Sequence, residues 1–233
     1  MVAARDVTVR SMQVDAVVVA AGRSNRFGGD DKILADLCGR PVLAWSLTAL
    51  AAAESVAQVV IVGQEERLER LEEVGREVLG DSLQSVIAGG ARRRDSVEAG
   101  LRAVGGEYVA IHDGARPLVT PALIDACVSE AARAAGAILA VPVTDTVKEA
   151  QGRTIVGSPD RRRLWAAQTP QVVRREGWLT AAALSDEDAT DDAAMLARLG
   201  LEVRIVEGDP ANSKVTRPLD LVLARELLHE RGC

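Results

Sequence analysis

Positive side chains recur in this sequence at the ends of apolar runs. Arg23, Arg26 and Lys32 follow the run Val14 to Ala21, Arg93 and Ser96 follow Leu83 to Ala88, and Asp113 and Arg116 follow Tyr108 to His112. Arg161 and Lys214 stand in later loops. Cations gathered from distant segments suit a phosphate ligand. The first of these loops also holds Ala20, Ala21, Gly22 and the pair Gly28-Gly29. Such small residues let a ligand approach the backbone and let successive N–H groups turn toward an anion. Spacing excludes two familiar phosphate cradles, because Lys32 is followed by Ile33 rather than Ser or Thr, and Gly22 by Arg-Ser-Asn-Arg. An ordinary strand-to-helix turn is the plain alternative for this stretch taken alone. No nucleophile stands out: the two histidines are His112, which reads as structural rather than as a general base, and His229, a surface residue of the last helix. Many cations without a nucleophile point to phosphoryl or nucleotidyl transfer, where catalysis is positioning plus neutralisation of charge on phosphate oxygens.

Those loops need strands and helices to hold them. Apolar runs at 14–21, 56–62, 83–88, 108–112, 137–143 and 201–206 read as strands, the continuous ones as strands covered on both faces. Helical spacing falls at 42–53, 64–79, 94–104, 175–184, 192–199 and 219–231, with one more helix from Pro121 to Ala135 capped by Thr120. Pro41 suits the first turn of the first helix. This alternation predicts an α/β fold with a doubly wound, mainly parallel sheet and a site at the carboxyl ends of its strands. Thr144 to Gln168 breaks the pattern. It lacks a helix signal and reads as a projecting β-ribbon arm turning at Gln151-Gly152. An isolated ribbon is marginal in water, so the arm is expected to pack on a second subunit, with folding back onto its own domain as the other reading. Residues 1–12 read as a loose tail and 13–233 as one domain, the arm included at about 144–168. The acidic stretch Ser185 to Asp192 reads as a solvated face in which Thr190 caps a helix, with a metal site as the less favoured reading.

Composition narrows the function classes. The hydrophobic share of 48% supplies a core, while aromatics at 2% are too few for the stacking platforms of single-stranded nucleic-acid binders. A net charge of −6 disfavours a general nucleic-acid partner. The three cysteines, Cys38, Cys127 and Cys233, form no C-x-x-C pair, and no apolar run reaches the roughly 18 residues of a membrane span. A cytoplasmic protein is expected.

Seven motifs in order carry a resemblance: AAGRSNRF with Lys32, GGARRRDSVEAGL, VAIHDGARPLV, PVTDTVKEA, LWAAQTPQ, TDDAAML and EGDPANSKVTRPLDL. Together they resemble the 2-C-methyl-D-erythritol 4-phosphate cytidylyltransferases, over about Val14 to Glu226. The resemblance implies a Rossmann-like nucleotidyltransferase that joins CTP to methylerythritol phosphate with release of pyrophosphate, aided by Mg²⁺. It implies Arg26, Lys32 and Lys214 as the cations that stabilise the transition state. Ala20, Ala21, Gly22, Gly90, Ser96 and Asp113 would contact the nucleotide. Asp113, Arg116, Thr146, Arg161, Thr169 and Thr190 would hold the acceptor, with Asp113 as a candidate Mg²⁺ ligand. Thr146 and Arg161 would act across a homodimer interface through exchanged arms. Two departures stand out: Asp31 occupies the place where relatives generally have a proline before the lysine, in a shorter loop, and Ala91 replaces a residue that is often acidic. An acidic neighbour is expected to weaken the field of Lys32 on phosphate. A ribitol-5-phosphate cytidylyltransferase is the nearest alternative, and a nucleotide-binding regulatory subunit without turnover is an alternative of another class.

Overall fold

Valine-rich segments form the centre of the sheet. The computed structural model of the protein describes residues 12–22, 27, 31–189 and 191–232. The tail read at 1–12 lies outside them up to residue 11, as do Arg23, Arg26, Gly28, Gly29, Thr190 and Cys233. β1, Val14–Val19, is buried on both faces because its side chains alternate between two apolar clusters. Ala16 and Val18 face one side with Leu43, Leu47 and Ile61, while Val17 faces the other with Val60, Val97 and Trp178.

β2, Asp36–Leu37, and β3, Arg40–Pro41, make a small hairpin. Its turn residues Cys38 and Gly39 both have positive φ, at 52° and 76°, the two-residue turn whose twist matches antiparallel strands. Pro41 is the residue before α1, Val42–Ala52, one place earlier than its sequence suggests. β4, Val56–Gly63, leads through a 3₁₀ turn, Glu65–Arg67, to α2, Leu68–Leu79, which presents Leu71 and Val74 to the core and charges to water. β5, Leu83–Ala88, and α3, Arg93–Ala103, come next. After β6, Tyr108–Asp113, the Thr120 hydroxyl accepts from the Leu123 N–H and caps α4, Pro121–Ala131. β7 is Gly136–Pro142.

The arm holds a hairpin of β8, Glu149–Gln151, and β9, Thr154–Gly157, which turns at Gly152 with φ 61°. A 3₁₀ turn, Arg161–Arg163, then returns the chain to β10, Trp165–Arg174. Here the structure differs from the sequence reading. Trp165 to Gln168 belong to the sheet, with Trp165 opposite Pro142 and Ala167 opposite Ala140. The sequence reading ends the arm at Gln168, before Thr169-Pro170, yet the β7 pairing resumes at Gln171 after a register shift, and the strand runs on past the proline. α5, Arg175–Leu184, α6, Asp192–Ala197, β11, Val203–Glu207, and α7, Pro218–Glu230, complete the chain.

The seven main strands lie in the order β11-β7-β10-β6-β1-β4-β5, all parallel except β10. Helices α1, α2 and α4 cover one face, and α3, α5 and α6 the other, which is the doubly wound arrangement. The chain moves from β1 outward to β5 and returns to β6 on the opposite side of β1. Strand order therefore reverses between β1 and β6, where such sheets open a crevice at their carboxyl ends. No helix among the described residues is long and apolar enough to cross a membrane.

Candidate active site

The crevice between β1 and β6 opens into a cavity of about 690 Å³. Ala21, Gly22, Lys32, Gly90, Ser96 and Lys214 line it, while Ala20 is buried behind, its N–H on the Val62 carbonyl. Close packing explains the small residues. A Cβ on Gly89 would stand 2.6 Å from Ser96 Oγ and 2.8 Å from the Ala21 Cβ, and one on Gly90 would run into the Asp95 Cβ. Ser96 is buried, accepts from the Gly90 N–H at 3.1 Å and donates to the Arg92 carbonyl at 3.3 Å. Its hydroxyl therefore shapes the backbone of this wall.

A second cavity of about 280 Å³ lies alongside, lined by Arg116, Thr169, Gln171 and Asp191 among others. Arg93, Asp113 and Lys214 line both. They form a charged wall with Asp113 at its centre: Oδ2 is 2.8 Å from Lys214 Nζ and 3.5 Å from Arg116 Nε, and Oδ1 is 3.6 Å from Arg93 Nε. Burial alone would raise the Asp113 pKa. Lys214 first, then Arg93 and Arg116, outweigh it and hold the carboxyl well below the usual range, so it is ionised at neutral pH.

Backbone contacts bring Lys214 to this wall from far along the chain. The Val215 N–H donates to the Ala115 carbonyl at 2.8 Å, and Arg116 Nη1 donates to the Asn212 carbonyl at 2.7 Å. The buried Asn212 in turn donates to the Thr169 carbonyl at 3.0 Å and to Gln168 Oε1 at 3.2 Å. This arrangement ties the β10 bulge to the lysine.

Arg93 has a firmer partner on its other side. Its Nη2 lies 2.7 Å from Oδ2 of Asp192, which is buried and also accepts from Trp178 Nε1 at 3.2 Å. The acidic stretch is thus not simply a solvated face. Asp191, not Thr190, caps α6 by accepting the Ala194 N–H, while Gln171 Oε1 takes the Asp192 N–H. Arg94, buried in α3, donates to the carbonyls of Ala182, Ser185 and Glu187 and holds this stretch against the sheet. Among the described residues no group of three or more His, Cys, Asp or Glu side chains stands where it could hold a metal ion.

Arg26 and Thr190 lie outside the described residues. Thr146 and Arg161 are exposed on the arm and line neither cavity, with Arg161 Nη1 donating to the Thr144 carbonyl at 2.6 Å. The sequence reading placed Arg93 among the loop cations without a role, and it missed Gln168, Gln171, Asn212 and Asp192. The available signals were the glutamines flanking Thr169-Pro170 and the second aspartate of TDD.

His112 is no general base. It is fully buried, with Nδ1 3.1 Å from Thr169 Oγ1, and burial pushes its pKa down to about 4. An unfolded histidine titrates near 6.5, so the unfolded chain takes up this proton first as the solution is acidified. The stabilising contribution is complete above pH ~6.5 and is lost as pH falls to about 4, up to ~3 kcal/mol in all. Urea unfolding across this range should show His112→Asn with a shallower loss than the parent protein. Parallel curves would exclude His112 as the source.

The two cavities suit two phosphate-bearing molecules meeting at one cationic wall. A family model described as 2-C-methyl-D-erythritol 4-phosphate cytidylyltransferase matches residues 14–230. The chain is 43% identical over 225 residues to the 2-C-methyl-D-erythritol 4-phosphate cytidylyltransferase of Prochlorococcus marinus (strain MIT 9313), covering 93% of this chain and 98% of that one. Identity to the enzyme of that name from Synechococcus elongatus is 44% over 227 residues, with 92% and 96% covered. The crystal structure of 2-C-methyl-D-erythritol 4-phosphate cytidylyltransferase from Thermus thermophilus aligns with a TM-score of 0.75 at 29% identity, covering 94% of this chain and all of that one.

Proposed function

The chain belongs to the 2-C-methyl-D-erythritol 4-phosphate cytidylyltransferase family, and from that premise we propose that its two cavities hold CTP and methylerythritol phosphate on either side of the Arg93–Asp113–Lys214 wall. It is a nucleotidyltransferase that moves the cytidylyl group of CTP to the acceptor, giving 4-diphosphocytidyl-2-C-methyl-D-erythritol and pyrophosphate. The larger cavity takes the nucleotide and the smaller one the acceptor. The shared wall is the single observation that carries this assignment.

The acceptor's phosphate oxygen is already a nucleophile, so no base is required. It forms a bond to the α-phosphorus as the bond from that atom to the bridging oxygen breaks, and pyrophosphate leaves with the electron pair. Arg26 and Lys32 neutralise the triphosphate from the first loop, and Lys214 does so from the opposite segment. Backbone at Ala21, Gly22 and Gly90 faces the nucleotide, and Ala20, buried behind them with its N–H on the Val62 carbonyl, does not reach it. Asp113 keeps Lys214 and Arg116 in place, and Thr169 borders the acceptor, a role that the resemblance also gives to Thr190, which lies outside the described residues.

Mg²⁺ fits this site as an ion carried on CTP. Such ions are held by substrate phosphates with one or two carboxylates, and Asp113 is the buried carboxylate at the cavity wall. When bound there, Mg²⁺ supplies positive charge to the phosphate oxygens.

The arm supports a homodimer with exchanged arms. Ile155 and Val156 are 63% and 56% exposed on a two-stranded hairpin too small to stand alone. Thr146 and Arg161 line neither cavity of their own chain, as expected of residues that serve a partner's acceptor site.

Incubation with CTP and Mg²⁺, scored by pyrophosphate release, tests the reading. Release is expected with methylerythritol phosphate and not with ribitol 5-phosphate. Exclusive use of ribitol 5-phosphate would change the acceptor, and CTP binding without release from any acceptor would make the chain a regulatory subunit.

A further inference from the structure

Asp31, expected to oppose Lys32, has its charge engaged elsewhere. One carboxylate oxygen, Oδ1, accepts the Ile33 N–H at 3.1 Å, and the Asp31 carbonyl accepts the Leu34 N–H at 3.2 Å. Asp31 thereby closes the tight turn that carries Lys32, as aspartates do when they bond to backbone two residues on. The other oxygen, Oδ2, lies 3.0 Å from Arg67 Nη1. Both atoms are shielded from water and neither makes a hydrogen bond among the described residues, so the contact between them is one of charge. Each charge is therefore compensated by the other, and removing either leaves its partner half-buried without a counter-charge at that contact.

Arg67 ends the 3₁₀ turn Glu65–Arg67, held there by its own N–H on the Gln64 carbonyl at 2.9 Å. That turn is itself a wall of the larger cavity, through Gln64, Glu65 and Glu66, while Lys32 and Ile33 line the same space from the first loop. Gln64 adds a second tie, donating from Nε2 to the Ala21 carbonyl at 3.0 Å. The ion pair thus fastens the segment that carries Lys32 to the segment that follows β4.

We propose that Asp31 and Arg67 form a latch that positions Lys32 at the triphosphate. The proposal rests on the reading of Lys32 as a triphosphate ligand. Without the latch the lysine keeps its charge but loses the fixed backbone that aims it, and a displaced cation contributes little to the transition state.

Steady-state kinetics of Asp31→Asn, Arg67→Met and the double variant test this, with circular dichroism to certify the fold. Each single change is expected to lower kcat/KM for CTP about tenfold, as for loss of one partner in a shielded pair. KM for the acceptor should hold, and Arg67→Lys should keep most of the activity. The double variant should be no worse than the poorer single one, because the two residues act as a unit. Arg67→Gln replaces Arg67→Met if the latter fails to fold. Three results would overturn the latch: single variants at parental activity, losses that multiply in the double variant, or an Asp31→Asn enzyme faster than the parent, as mere opposition to Lys32 would give. A parent protein that releases no pyrophosphate would instead refute the function on which the latch depends.

Discussion

Lys214→Gln should lower kcat by about 10²–10³, the loss seen when one preorganised donor to a developing oxyanion is removed. Its ammonium lines both cavities and lies 2.8 Å from Asp113, so it stands where the two phosphates are proposed to meet. Charge builds on the α-phosphate oxygens and on the leaving pyrophosphate, and a nearby cation is worth most while that charge is forming. The loss should therefore fall on kcat, with KM for CTP changed less, because the first-loop cations proposed to hold the ground-state triphosphate remain. The fold should tolerate the change, since Lys214 is 36% exposed and Asp113 retains Arg93 and Arg116. Pyrophosphate release at saturating CTP measures the effect. A loss smaller than about tenfold in folded enzyme would remove Lys214 from the chemistry.

The sheet was legible because its strands are continuous valine-, isoleucine- and leucine-rich runs, and a chain must cover such runs on both faces. From the first loop, Ala21, Gly22 and Lys32 line the larger cavity, where small residues and a cation beside a buried strand end have few other uses. β10 was harder. Its first residues follow the arm and its middle is Thr169-Pro170, a local signal for a stop, while the pairing with β7 that overrides the signal is non-local. The charged wall was only half visible. Asp113 and Arg116 are neighbours in sequence, but Arg93 meets Asp192 from 99 residues away, and nothing in an acidic run says which carboxylate turns inward. The contact of Asp31 with Arg67 was invisible on the same ground, because Arg67 lies beyond β4.

Arg93 carries the second large effect, and it is a stability effect first. Arg93→Met should destabilise the fold by about 3 kcal/mol, the low end for removing one partner of a buried ion pair. The low end applies because Arg93 keeps 32% of its side chain at the surface, whereas that of Asp192 is 2% exposed. Burial already raises the Asp192 pKa against the pull of Arg93. Without the guanidinium, that carboxyl keeps only Trp178 Nε1 as a side-chain donor among the described residues and must take up a proton or open its pocket to water. The double variant Arg93→Met/Asp192→Asn removes both charges and should recover much of the loss in urea unfolding. Activity should not recover with it. Asp113 still lacks the contact of Oδ1 with Arg93, and KM for the acceptor should remain raised in the double variant. Stability that returns without acceptor affinity would separate the two duties of Arg93, holding the TDD turn and shaping the wall. Joint recovery would mean that Arg93 serves the fold alone.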